Sequence, residues 1–484
     1  MVVMLFVTRI VLQALGVIDY GIYNVVAGSI AILGFFRNSL AVTMQRYLNH
    51  YQGRENFEKQ EKVFNIGIVF HWAVASMLVI FFFILGYFLF NGILNIPSDR
   101  VEAAKLVYLT LIVYTFLTVI TAPYDATITA HENMLFYSIV GIIESFLKLT
   151  VAFVILYTSG DKLILYSILM MVIPILETAA MRIYCKVKYA ECVFRPQKKW
   201  DRILAKDMMK FAGWSLVGAS TNVVSNHGAN LALNHFFGAA INAVAGIANQ
   251  IQGVLTVLFT GLMKSLTPVI FKSEGANDER SMLEYSYLGC KYSTLLFSLL
   301  AIPVFIQTPY LLKLWLVEVP EWTVLFVRLQ LIRAFVEQLG ASLMNALNAT
   351  NHVKQINIIS IVYNLLPIIL LIIIYDNGGR PYWHYIIMIG VMTLGQLLTM
   401  LFLCRIYCGL TIMNYLKTVV FPCGFTVASM APCILIPVLV KSELLSFLIS
   451  STLCFILFVL SMFVALRQKE KNLIFAFLSK IKQK

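Results

Sequence analysis

Charge is scarce in this sequence. Asp, Glu, Lys and Arg make up 13% of its 484 residues, about half the share found in a soluble domain. Apolar residues make up 60%. They gather in continuous runs of about 20 rather than alternating, which excludes a soluble domain and a β-barrel and leaves a polytopic, all-α integral membrane protein. Paired cysteines are missing as well. The eight cysteines (Cys185, Cys192, Cys290, Cys404, Cys408, Cys423, Cys433 and Cys454) form no CxxC motif, and most lie inside apolar runs. Buried, inert thiols are expected, and neither a metal site nor a disulfide framework. No Ser/His/Asp arrangement, phosphate-cradling glycine loop or HExxH motif is present, so neither catalysis nor a cofactor is expected. No small-residue cleavage site follows the first apolar segment, which is therefore expected to stay. That segment begins at Met1 and runs only to Gly16, shorter than the roughly 20 residues of a full span. Either the true start lies upstream or the first helix is short.

What is present is a repeat. The stretch Arg9 to Arg46 reads as the end of one apolar helix, a tight turn around Gly16 and a second apolar helix. Shifted by 222 positions, Gly16 falls on Gly238, Val25 on Ile247, Leu40 on Leu262, Gly53 on Gly275 and Gly67 on Gly289. A register of 219 sets the segment around His131 on that around Thr350. A doubled unit is the expectation, as in many transporter folds.

About fourteen spans can be drawn, including 23–46, 104–122 and 322–348. One alternating set of connections (46–62, 123–136, 182–210, 269–285, 349–356, 405–417 and 467–484) holds 24 Lys and Arg, and the other set holds 6. The net charge of +13 thus reports membrane topology rather than nucleic-acid binding, and its distribution assigns both termini to the cytoplasm. The expected organisation is an N-terminal lobe over 1–185, a basic linker over 186–207, a C-terminal lobe over 208–407, an extra helix pair over 408–466 and a basic amphipathic tail over 467–484. Six spans per lobe is an even number, so the pseudo-two-fold should run along the membrane normal, with a cavity between lobes.

Charges at span depth are costly against lipid and usually face a cavity or a partner. Arg9 and Arg37 have no acid one turn away on their own helix and read as functional. Glu144 and Lys148 stand in the favourable i,i+4 order and read as a self-neutralised pair. Arg333 and Glu337, one turn apart, fit either a structural pair or a working one. Glu177 lies in span 6. Lys264, Lys291 and Arg328 sit near span ends and should snorkel. Span 7 carries Asn222, Asn226, Asn230 and Asn234 at i+4 steps, a stripe that winds by about 40° per step. It suits either close helix packing through amide hydrogen bonds or a cavity wall that binds sugar hydroxyls.

The segments TRIVLQALGVIDYGIYNVVAGS, TAPYDATITAHENM and NALNATNHVKQIN, together with the helix end at Arg46, resemble the bacterial polysaccharide-precursor flippases. These belong to the multidrug/oligosaccharidyl-lipid/polysaccharide exporter superfamily. The resemblance runs along nearly the whole chain. It implies two six-helix lobes around a cationic cavity and movement of an undecaprenyl-diphosphate-linked oligosaccharide to the outer leaflet, for polysaccharide or lipopolysaccharide synthesis. On that reading Arg9, Arg37 and Arg333 hold the diphosphate, since the planar guanidinium binds phosphate bidentately. Asn222, Asn226 and Asn230 hold the glycan, and Glu337 couples transport to an ion. Partners would be the lipid-linked oligosaccharide, membrane lipids, and a polysaccharide polymerase with glycosyltransferases. The competing readings are a multidrug exporter of the same superfamily, a flippase for the lipid-linked peptidoglycan precursor, and an integral-membrane glycosyl polymerase. The polymerase would need a large outer loop that the sequence does not supply.

Overall fold

The computed structural model describes residues 2–31, 34–93, 96–195, 199–316, 319–350 and 352–466. Those residues are helical almost throughout, without a strand. Among them, ten helices are long and apolar enough to cross a membrane, or eleven counting one bent pair as a single span. The chain is a multi-pass membrane protein. It divides into two compact units, Met1–Ser220 and Thr221–Lys484.

Unit 1 contains α1 (Val2–Ala31), α2 (Gly34–Gly53), α3 (Phe57–Phe88), α4 (Val101–Ala130), α5 (Met134–Tyr157) and α6 (Lys162–Lys188). The Asn56, Asn133 and Asp161 side chains cap α3, α5 and α6 by accepting backbone N–H groups, which satisfies donors that a helix start leaves open. The core is built on Val11, Val26, Phe82, Ala104, Val107 and Ala152. Small residues let these helices approach closely, the usual device where lipid supplies no hydrophobic drive between helices. At Gly86 a Cβ would meet the Tyr108 ring at 2.5 Å, and the Tyr108 hydroxyl donates to the Phe82 carbonyl at 2.7 Å. At the end carrying the 16–22, 96–100 and 158–162 connections, Arg100 clasps two carboxylates. Its Nε donates to Asp19 at 2.8 Å and its Nη1 to Asp161 at 2.8 Å.

The basic linker packs on unit 1 at the opposite end. Asn65 donates to the Val193 carbonyl and accepts the Arg195 N–H. Lys199 pairs with Glu61, and buried Glu191 meets His131. Helix α7 (Arg202–Gly275) continues from it, and Phe211 on its first turns lies under the Arg46 guanidinium at 4.9 Å. The boundary between units consequently falls after Ser220, not at the linker. The tail over 467–484 lies outside the described residues.

Unit 2 holds the rest of α7, then α8 (Glu279–Ile306), α9 (Thr308–Trp315), α10 (Thr323–Gly340), α11 (Leu343–Ala349) and α12 (Val353–Asp376). It continues with α13 (Trp383–Ile387), α14 (Leu394–Tyr407), α15 (Ile412–Tyr415), α16 (Phe421–Met430), α17 (Ile436–Leu439) and α18 (Glu443–Ala465). Residues 388–393 and 416–420 are π-helical bulges within spans.

The repeat seen in the sequence is written in the backbone. Gly16 has φ 76° and ψ 171°, and Gly238 has φ 78° and ψ 179°, in a region of dihedral space that only glycine occupies readily. The helix pair meeting at Gly16 bends by 114°. Farther along the 222 register, Glu55 and Asn277 have φ 55° and 58°. The next residues, Asn56 and Asp278, each cap the following helix at 3.0 Å. In the 219 register, Cys185 donates to the Tyr124 carbonyl and Cys404 to the Leu343 carbonyl, both at 3.7 Å. A His131–Tyr189 stack at 4.0 Å is echoed by His352–Tyr407 at 3.8 Å.

Candidate functional site

Among the expected spans that fall outside the ten that qualify by length and composition are 208–236 and 322–348. They fail because they are polar. The first carries the asparagine stripe and the second carries Arg333 and Glu337, and unit 2 brings the two together. Arg333 is 7% exposed. Its Nη2 donates to Asn226 Oδ1 at 3.0 Å and faces Met392 Sδ at 3.4 Å. Met392 belongs to the π-helical bulge over 388–393, a distortion that often accompanies function. Asn226 Nδ2 in turn donates to the Asn222 carbonyl at 2.9 Å, which fixes the amide so that its oxygen points at the guanidinium.

Around Arg333 lie residues that the sequence did not single out. His384 and Tyr385 are within its electrostatic reach. Gln330, one turn before it on α10, donates to Gln252 Oε1 at 2.7 Å. Four buried polar atoms here have no hydrogen-bond partner among the described residues: Arg333 Nε, Gln330 Oε1, His384 Nδ1 and Tyr385 Oη. Such atoms are rare in folded proteins and call for a ligand or a polar role. These residues come from α7, α10 and α13, which lie far apart in the sequence, so no local spacing could have gathered them.

Among the described residues Arg333 makes no ion pair with any carboxylate. The expected pairing with Glu337 does not form, because the guanidinium extends across to Asn226 and Met392 on neighbouring elements. Glu337 is half-buried. The rest of the stripe opens outward: Asn222 and Asn234 are exposed, and Asn230 is half-buried. That exposure disfavours a stripe used only for close helix packing.

Unit 1 carries a second charged group. Arg37 Nη2 stands 3.9 Å from Asp125 Oδ2, with 37% of its side chain exposed, a loose pair that leaves donors free. The sequence placed Asp125 in a loop over 123–136, but α4 runs through Pro123 to Ala130 and carries it at span depth. Glu144 and Lys148 do pair, at 2.6 Å. Glu177 is in electrostatic reach of Glu144, Arg37, Asp125 and Lys148. The side chain of Arg9 lies outside the described residues. Lys291 does not snorkel: it is fully buried, with its ammonium 5.7 Å from the Tyr292 ring centre.

No protein-family model matches the chain, and no curated protein matches it in sequence. Solved structures do match it. The crystal structure of a MATE transporter in the straight conformation superposes with a TM-score of 0.71 at 14% identity, covering 85% of this chain and 92% of its own. An outward-facing multidrug-resistance MATE transporter of the MOP superfamily gives 0.72 at 14%, covering 84% and 92%. The fold is that of the MOP transporters. A third match is a MOP transporter from Pyrococcus furiosus whose reversed pocket polarity was taken to suggest a different function. It gives 0.72 at 13% identity, covering 84% of this chain and 91% of its own. These neighbours are transporters rather than enzymes. At such identities the likeness concerns the fold, and the chemistry must be argued from this chain's own side chains.

Proposed function

We propose that this chain is a membrane transporter that exports an anionic, hydroxyl-rich substrate, and that the substrate is an undecaprenyl-diphosphate-linked oligosaccharide of polysaccharide or lipopolysaccharide synthesis. The observation that carries this reading is the buried Arg333, held by the neutral Asn226 amide and by no acid. A buried cation without a counter-ion is costly, and an arriving phosphate would supply the missing charge. Gln330, Tyr385 and the outward Asn222 and Asn230 amides provide the mixed donors and acceptors that a glycan requires. Arg37 is a second candidate phosphate ligand, with Asp125 holding it until substrate takes the fork. Glu337 stands one turn from Arg333 as the candidate group for ion coupling.

A second reading, export of cationic drugs, is favoured by the likeness to multidrug MATE transporters. Pocket polarity separates the two; for the Pyrococcus furiosus protein a reversed pocket polarity was taken to suggest a different function. The test is transport by the purified chain in proteoliposomes. A fluorescent polyprenyl-diphosphate sugar should cross leaflets in a protein-dependent way, and a lipophilic cation such as ethidium should not be accumulated. The converse pattern would replace the first reading by the second.

A further inference from the structure

Within unit 2 the helix ends near residues 305–310 and 437–446 border an open cavity of 440 Å³ with a mixed polar and apolar lining. Its origin is local. Pro432 and Pro437 remove backbone donors inside a span, so 431–435 winds as a tight 3-10 turn before the short α17. The slimmer segment leaves a cleft against the end of α8. Arg328 faces this cavity. Its Nε donates to the Phe305 carbonyl at 3.1 Å, and its guanidinium lies 5.3 Å from the centre of the Phe305 ring. Those contacts fix the plane of the fork, and among the described residues its two terminal nitrogens have no hydrogen-bond partner. Lys441 and Tyr310 line the same space. The cavity's acid, Glu443, is already engaged by Lys313 at 2.6 Å. The net local charge is therefore positive.

A second cavity of 230 Å³ adjoins the first, with Phe305, Ile306 and Ile434 lining both. Its other walls are apolar, including Ala301, Ile332, Phe335, Val427 and Met430. A cationic mouth joined to an apolar groove matches the two ends of one molecule class.

We infer that this double cavity binds an anionic membrane phospholipid, with its phosphate on the Arg328 fork and Lys441 and one acyl chain in the groove between α8, α10 and α16. Charge decides the occupant. A zwitterionic lipid would bring a second cation against Arg328 and Lys441, whereas an anionic headgroup satisfies both. The fork geometry suits phosphate oxygens bidentately. The extra helix pair would thus be cemented to unit 2 by lipid, and binding to the folded state would raise its stability by mass action. The site is separate from Arg333 and does not depend on what the chain exports.

The test is thermal unfolding of the full chain in detergent, titrated with phosphatidylglycerol, phosphatidylcholine or glycerol phosphate. Phosphatidylglycerol should raise the midpoint, phosphatidylcholine should do so far less, and glycerol phosphate should have no effect. Arg328→Gln combined with Lys441→Gln should abolish the phosphatidylglycerol shift, read against that variant's own lipid-free midpoint. Val427→Trp, which narrows the groove and spares the cations, should abolish it too. Arg333→Met should keep it. Equal responses to the two lipids, a shift retained in the double variant, or a full shift with glycerol phosphate would each overturn the inference. Loss of the shift in Arg333→Met would assign the lipid to the transport site instead.

Discussion

Replacing Gly238 by Ala isolates the turn on which each repeat is built. A Cβ at Gly238 meets nothing within 4 Å, so no clash contributes. The whole penalty is backbone: φ 78° with ψ 179° is a conformation that costs an L-residue about 1–3 kcal/mol. That cost corresponds to a folded-to-unfolded ratio lower by roughly 5- to 150-fold, at 1.4 kcal/mol per factor of ten. Gly246 is the internal control. It is helical and exposed, with open space around its Cα, so Gly246→Ala should be neutral or stabilising by about 0.5–1 kcal/mol. Thermal unfolding in detergent, followed by size-exclusion recovery after heating, reads the difference. Gly16→Ala should behave as Gly238→Ala does, since its dihedrals match. The reasoning fails if Gly238→Ala unfolds at the same temperature as Gly246→Ala. A kink that tolerates alanine is not held in the glycine-only region.

Three other outcomes are expected. Gly289→Ala should destabilise by about 1–3 kcal/mol through overpacking, because its Cβ would stand 2.7 Å from Ser342 Cβ. Gly67→Ala should cost less, since the obstacle is the flexible Met44 side chain; equal losses in melting experiments would refute the packing argument. Breaking the Glu144–Lys148 pair with Glu144→Gln should lower protein recovery more than the double change Glu144→Gln, Lys148→Met, because the single change strands a half-buried ammonium; a double variant worse than the single one would contradict a self-neutralised pair. The Arg100 clasp should survive acid. Partial burial pushes the Asp161 carboxyl up, but the Arg100 hydrogen bond and the Leu163 and Ile164 N–H groups outweigh it and hold the group below its usual value. A lowered folded-state value means stability that is present above the ordinary carboxylate range, near 4, and lost as the pH falls through the lowered value. The melting temperature of wild type relative to Arg100→Gln should therefore stay higher at neutral and mildly acidic pH and converge only in stronger acid; convergence already above about pH 5 would refute it.

The helical membrane class and the doubled architecture were legible in the sequence because both rest on long-range composition and on glycines that chemistry makes hard to replace. Gly16 and Gly238 stand in register since no other residue makes that turn cheaply. The chain also announced its chargeable sites, because an arginine at span depth is conspicuous anywhere. What it could not announce were partners. Arg37 meets Asp125 from α4, and Arg333 prefers Asn226 to Glu337 one turn away. Such choices follow from how helices pack, which periodicity along one helix does not encode. Asp125 was hidden by a misplaced helix end: the span drawn from the sequence closes at 122, yet α4 carries Pro123 within it and continues to Ala130. Arg328 and Lys291 show the same limit from the other side. Both sit near span ends, where snorkelling is the simple expectation, and packing instead draws one into a cavity and buries the other.

Arg333 is proposed as a cation kept for an anionic substrate rather than for the fold, and Arg333→Met tests this most directly. The substitution removes an uncompensated buried charge and keeps most of the volume, so the purified protein should melt at the wild-type temperature or above it. Its dissociation constant for a polyprenyl-diphosphate oligosaccharide should rise by about 10- to 150-fold, the equivalent of losing one charged hydrogen bond of roughly 1.5–3 kcal/mol. A lower melting temperature with unchanged affinity would make Arg333 a structural residue and contradict the proposed function.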